Sequence, residues 1–162
     1  MRRACFIDRD GVINEPVDRG SGFASGSGKP QRYSAPYTYA EFRLLPRVRE
    51  ALELLGQLGL VRILVTNQPD IAYGRLSESD HQKIMAETAA LPLDDIYVCP
   101  HRSFDGCDCK KPKPGMLLEA ADKWNLNLAQ SFIVGDAKAD VEAGKAAGCR
   151  TIMVGSSDSY DV

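Results

Sequence analysis

Two aspartates stand two residues apart at the end of a short apolar run, in Ala4-Cys5-Phe6-Ile7-Asp8-Arg9-Asp10-Gly11. From an extended strand end, side chains at i and i+2 point the same way, so both carboxylates can face one ligand. Gly11 lets the chain turn and lets that ligand approach the backbone. A second pair, Asp136 and Asp140, follows Gly135 at i and i+4, on the first turn after another apolar run, Ser131–Val134. Four aspartates in one crevice would repel one another strongly without a cation between them. Ligands that are all oxygen select a hard ion, and Mg2+ is the usual choice where phosphate is the substrate. Helix capping and turn formation are the competing explanation of an Asp beside a Gly, and for Asp140 the two explanations stand level. A turn does not need two carboxylates as close as Asp8 and Asp10.

A second cluster is soft where the first is hard. Cys99-Pro100-His101, five residues, then Cys107-Asp108-Cys109 brings three thiols and an imidazole within eleven residues. Thiolates plus imidazole at close spacing select tetrahedral Zn2+, and four protein ligands leave no open position, which makes the site structural. The alternative is a group of free thiols beside a loop histidine. Cys5 and Cys149 sit in or beside apolar strands and read as core residues. His81 lies in a polar helical stretch and reads as solvated.

These groups need elements to hold them. The 162 residues are enough for one domain with a sizeable core. Strand-like and helix-like periods alternate, which predicts an α/β, three-layer Rossmann-like domain with a mostly parallel five-stranded sheet. The predicted strands are Ala4–Ile7, Val61–Val65, Ile96–Cys99, Ser131–Val134 and Arg150–Val154. Helices are predicted from Pro46 to Gly59, with Val48, Ala51, Leu52 and Leu55 on one face, and from Ser77 as N-cap to about Ala90. A third starts at Pro114 with Leu117, Leu118 and Ala121 inward, and a fourth ends at Gly148. The aspartates, Thr66, Asn67, Cys99 and His101 then all fall at the carboxyl ends of strands, where ligands bind in open α/β sheets. Residues 15–41 show neither period, and Gly20–Pro30 is flexible by composition. That insertion reads as a substrate flap or as a disordered loop, with Arg19, Lys29, Arg32, Tyr33 and Tyr37 within reach of a ligand. The tail Ser156–Val162 reads as loose.

Composition narrows the partners. A formal net charge of −2 and a pI near 5.7 leave no general basic surface for nucleic acid. The apolar start is too short for a signal-peptide core and no stretch approaches transmembrane length, so a cytoplasmic monomer with a small-molecule partner is expected.

The segments FIDRDGV, VTNQ, KKPKPG and VGDAKAD stand in the order of the four motifs of the haloacid dehalogenase superfamily of phosphatases. They spread over almost the whole chain, which therefore resembles that family. The strand-to-helix connections that could host a large cap domain are too short for one, so an open site is expected, and the resemblance implies Asp8 as nucleophile and Asp10 as general acid and base. It also implies a phosphate-binding Thr66, a cation at Lys111, and Mg2+ on Asp8, Asp136 and the backbone carbonyl of Asp10. Asn67 could add a donor to the phosphoryl oxygens. The cysteine loop is similar to that of a zinc-bearing branch containing heptose 1,7-bisphosphate 7-phosphatases and histidinol-phosphate phosphatases, with Cys99, His101, Cys107 and Cys109 as zinc ligands. Three departures from that branch bear on substrate choice. Lys110-Lys111 replaces Arg-Lys, Pro69-Asp70-Ile71-Ala72-Tyr73-Gly74 replaces Ser-Gly-Ile-Ala-Arg-Gly, and the first insertion is longer. A sugar bisphosphate needs cations away from the reacting centre, and Lys110 and Lys113 supply that sign. The resemblance thus implies a heptose bisphosphatase, with histidinol phosphate as the alternative substrate. A zinc-bearing binding module without catalysis is disfavoured by the joint presence of Asp8, Asp10, Thr66, Lys111 and Asp136.

Overall fold

The computed structural model describes residues 1–24, 28 and 30–155. The tail from Ser156, residues 25–27 and Lys29 lie outside the described residues. In chain order the strands are β1 (Arg3–Ile7), β2 (Val17–Asp18), β3 (Tyr33–Ser34), β4 (Leu60–Asn67), β5 (Asp95–Cys99), β6 (Phe132–Gly135) and β7 (Arg150–Met153). The helices are α1 (Val48–Gln57), α2 (Glu78–Ala89), α3 (Gly115–Trp124) and α4 (Lys138–Ala147).

Five strands form one parallel sheet in the order β5-β4-β1-β6-β7. The apolar runs alternate between its faces, as the pleat requires. Ala4 and Phe6 of β1 join Ile63, Val65 and Ile133 in one core cluster, closed by Met116, Leu117 and Ala120 of α3. Cys5 and Ile7 point the other way, to Leu64 and to Val48 and Leu52 of α1. A smaller cluster of Phe42, Leu76 and Ile84 carries α2. The layers are thus helix, sheet, helix, with no large cap. No helix among the described residues is long and apolar enough to cross a membrane.

Chain order reverses beside β1. The chain leaves β1 for β4 and β5 on one side, then returns to β6 and β7 on the other. β1 and β6 are neighbours, with Ile7 opposite Val134. A crevice opens at such a switch point, outside the carboxyl ends of the strands. Asp8 and Asp136 follow those two strands.

Local boundaries depart from expectation for stated reasons. Helix α1 starts at Val48, not at Pro46, because Arg47 takes a left-handed conformation (φ 62°) that no helix can include. Strand β4 runs on to Asn67, so Thr66 and Asn67 belong to the sheet rather than to the loop after it. Leu118 does not face inward; it is 44% exposed, and α3 buries Met116, Leu117 and Ala120 instead. Gly115 sets that rotation: a Cβ there would overlap the Asp108 carbonyl oxygen, so the helix starts flush against the cysteine loop. Within residues 15–41, β2 and β3 pair antiparallel, Val17 with Ser34 and Asp18 with Tyr33. Two-residue strands are too short to show a period in sequence.

Candidate active site

Asp8 follows the central strand and is buried, as are Asp136 and Asp140. One carboxylate oxygen from each lies within 4.8 Å of the others. The Lys111 ammonium enters this cluster from the loop before α3, donating to Asp8 Oδ1 at 2.8 Å, Asp140 Oδ1 at 2.5 Å and the Val65 carbonyl at 2.8 Å. Burial would pull the lysine down, but the charges of Asp8 and Asp140 outweigh it and hold Lys111 above its usual value. Burial first, then the charges of Asp140 and Asp10, push the Asp8 carboxyl up to about 7 against the pull of Lys111. Three carboxylates face one ammonium, a surplus of two negative charges, which one divalent cation cancels. An all-oxygen set of this kind fits Mg2+.

Asp140 resolves both of its sequence explanations at once. Its Oδ2 accepts from the Ala137 backbone N–H at 3.1 Å, as a helix cap does, while Oδ1 holds Lys111. Gly135 makes this possible, since a Cβ there would overlap the Asp140 carboxylate.

Asp10 lies outside that cluster, in a cage of donors. Gln68 Nε2 donates to its Oδ2 at 2.7 Å, Asn14 Nδ2 to its Oδ1 at 3.0 Å, and the Arg9 guanidinium to both oxygens. Arg9 is fully buried and also donates to Gln68 Oε1 at 2.8 Å. Gln68 donates in turn to Thr66 Oγ1 at 2.9 Å, which leaves the threonine hydroxyl proton available. Arg9, Asn14 and Gln68 were not singled out by the sequence reading. The signal for Gln68 lies in VTNQ, a long polar residue directly after a buried strand, but its partners Asp10 and Arg9 lie 58 and 59 residues away.

Asn67 is a clamp. Its side-chain amide donates to the Lys111 carbonyl and its Oδ1 accepts from the Lys111 N–H, both at 3.0 Å. The loop of Lys111 is thereby locked to the end of β4. Asp8, Asp10, Asn67, Lys111 and Asp136 line one cleft of about 300 Å³, at the lower end of small-molecule sites. Thr66 lies buried beneath it, and Lys110 lines a neighbouring depression with Arg102 and Lys113. Phe23 and Tyr37 of the insertion, with Asp70, Tyr73 and Arg75 of the loop after β4, form the cleft's outer wall. Arg19 and Arg32 are engaged elsewhere, by Glu41 and Asp18 at 2.7 Å each.

The soft cluster converges as well. The Cys99 thiol sulfur is 3.7 Å from that of Cys107 and 2.9 Å from that of Cys109, while His101 Nδ1 is 3.6 Å from Cys99 and 3.2 Å from Cys109. Burial and the neighbouring thiols push Cys109 up to about 12, so a cation is needed for these sulfurs to ionise together. Three thiols and one imidazole around a common centre fit zinc. The backbone ties this loop to the cleft: the Gln68 N–H donates to the Cys99 carbonyl at 2.7 Å, and the Ser103 N–H to the Tyr73 hydroxyl at 3.3 Å.

The chain has known relatives along most of its length. Residues 108–161 match the family model described as HAD-hydrolase-like. The D-glycero-beta-D-manno-heptose-1,7-bisphosphate 7-phosphatase of Vibrio cholerae is 37% identical over 166 residues, covering 91% of this chain and 78% of its own. A D-glycero-alpha-D-manno-heptose-1,7-bisphosphate 7-phosphatase of Campylobacter jejuni is 34% identical, covering 94% and 81%. Among solved structures, the D,D-heptose 1,7-bisphosphate phosphatase of B. bronchiseptica, complexed with magnesium and phosphate, aligns with a TM-score of 0.75 at 29% identity, over 93% of this chain and 79% of that one.

Proposed function

Because the chain belongs to the HAD-like hydrolase family, in the company of heptose bisphosphate phosphatases, we propose that it hydrolyses the 7-phosphate of a D-glycero-D-manno-heptose 1,7-bisphosphate. The observation that carries the reading is the meeting of Asp8, Asp136 and Lys111 at the sheet's switch point, with Asp10 caged beside them.

In this mechanism Asp8 attacks phosphorus while the bond to the sugar's O7 breaks, forming an aspartyl phosphate. Asp10 gives its proton to the departing oxygen, then takes one from the water that attacks the aspartyl phosphate. Phosphate leaves and Asp8 is restored. Lys111 and the Thr66 hydroxyl bind phosphoryl oxygens, and Asn67 holds the backbone of Lys111 in place. Asp8, Asp136 and the Asp10 carbonyl would hold Mg2+, which supplies positive charge against the phosphoryl oxygens. Cys99, His101, Cys107 and Cys109 would hold one structural Zn2+ and fix the loop that presents Lys111.

The test is a Mg2+-supplemented phosphatase assay on heptose 1,7-bisphosphate and histidinol phosphate. A kcat/KM at least about 100-fold higher for the bisphosphate is expected. The reverse preference would make the amine the substrate and overturn this reading. Within the assay, Asp10→Asn should lower kcat by roughly 10²–10⁴, the range of a lost general acid and base.

A further inference from the structure

The cleft has two cationic side chains among its described lining residues, and they do different things. Lys111 is committed to Asp8 and Asp140. Arg75 stands on the outer wall, its guanidinium carbon 5.6 Å from the Tyr37 ring centroid, 5.7 Å from Phe23 and 5.9 Å from Tyr73. Three rings from two separate loops hold one guanidinium. Arg75 Nη1 donates to the Tyr37 hydroxyl at 2.9 Å and Nη2 reaches the Ala24 carbonyl at 3.5 Å. An arginine has five N–H donors, so most of this fork is uncommitted. Among the described residues no carboxylate forms an ion pair with it, although Arg9, Arg19, Arg32, Arg62 and Arg102 each have one. The one carboxylate on the same stretch of wall, Asp70, is pushed up by burial and pulled down by Arg75, so it dilutes the positive field without pairing.

On the reading that the substrate is a sugar bisphosphate, we infer that Arg75, in its collar of Phe23, Tyr37 and Tyr73, docks the substrate's remote phosphate. Aromatic faces fix a guanidinium without neutralising it, and a fixed planar fork suits the paired oxygens of a phosphate. The lysines considered from sequence serve this purpose less well. Lys110 lines the neighbouring depression, and the Lys113 ammonium is held by the Cys107 carbonyl and Asp108. Arg75 directly follows Pro69–Gly74, the stretch after β4 where the chain departs from its branch.

The test compares wild type, Arg75→Ala and Arg75→Lys on the heptose 1,7-bisphosphate and on the heptose 7-phosphate, which lacks the remote group. Wild type should show a lower KM for the bisphosphate. Arg75→Ala should raise that KM by about tenfold or more, with kcat within about twofold, and leave the 7-phosphate unchanged. Arg75→Lys, which keeps the charge but loses the fork, should fall between. Equal effects of Arg75→Ala on both substrates, no effect on either, or a wild type indifferent to the remote phosphate would each overturn the assignment. A wild type that hydrolyses neither compound is a separate result, visible before any variant is made, and removes the bisphosphatase reading and this inference together.

Discussion

Asp8 is buried beside two further carboxylates and one lysine, and that arrangement works against its own charge. Its carboxyl is raised from 3.8 to about 7, so between those values the folded protein binds a proton that the unfolded chain does not. Stability from this group is therefore full below about pH 4 and is lost as pH rises through 7. In metal-stripped protein, Asp8→Asn should then be more stable than wild type at pH 8, on the order of 1–3 kcal/mol, and no more stable at pH 4. The same variant should have no phosphatase activity at any pH. Thermal melts in EDTA at the two pH values check the first half, and a variant less stable than wild type at pH 8 would contradict it. Asp8 and Asp10 were legible in sequence because the two-residue period of a strand is local. Gln68 was not, because its meaning lies in two distant partners, Asp10 and Arg9. Gln68→Leu leaves a buried guanidinium and a carboxylate each short of one bond. It should cost about 1–3 kcal/mol and lower kcat more than it changes KM. Denaturant unfolding alongside steady-state kinetics separates those effects.

Element boundaries were read well where one residue type sets them by its own chemistry. Ser77 does cap α2, accepting from the Asp80 N–H at 3.1 Å, and Gly148 ends α4 with φ 82°. Rotation of a helix about its axis is a different matter, because a neighbouring backbone decides it, as Gly115 and the Asp108 carbonyl show for α3. Helix α4 carries a sharper case. Gly144 is helical and buried, and by propensity alone Ala there should be about 1 kcal/mol better. A Cβ at this position would overlap the Ile133 and Thr151 side chains of β6 and β7. Ile133 is itself only 1% exposed and has nowhere to move. Overpacking of this kind costs roughly 1–3 kcal/mol and outweighs the propensity gain. Gly144→Ala should lower Tm, and an unchanged or raised Tm would show that α4 can slide. The cysteine loop makes a parallel prediction about metal. Cys107→Ser should lower a zinc content of about one per chain and lower Tm with it. Elemental analysis of protein purified without added metal provides the reference, and no zinc in folded wild type would refute the soft site.

At the scale of the whole molecule, the alternation of five apolar runs with helical periods makes the parallel α/β architecture legible in sequence, whereas the strand order β5-β4-β1-β6-β7 and its switch point are set by long-range pairing. The wall facing the catalytic cluster is not legible there either. Phe23 and Tyr37 supply part of it, and Tyr37 is positioned by a few specific contacts rather than by a period. Glu41 is the anchor: it accepts from Arg19 Nη1 at 2.7 Å and Nη2 at 2.8 Å, and from the Tyr37 N–H at 2.8 Å. It thus ties the chain just after β2 to Tyr37, whose ring Arg19 also covers at 4.1 Å. Hydrogen bonding from Arg19, chiefly, holds the Glu41 carboxyl below its usual range, so the anchor persists at neutral pH and weakens only in acid. Glu41→Ala removes all three bonds without touching Asp8, Asp10 or Lys111. The parallel sheet and its core lie elsewhere, so the global loss should stay near 1 kcal/mol, as for a partly exposed ion pair with a backbone bond. The wall, however, would lose the position of Tyr37 and with it the collar around Arg75. KM for a heptose bisphosphate should rise by about five- to tenfold. A small aryl phosphate, which needs only Asp8, Asp10, Lys111 and metal, should be hydrolysed at nearly the wild-type kcat/KM. Equal losses on both esters would mean that the insertion supports the catalytic aspartates themselves rather than gripping the far end of the substrate.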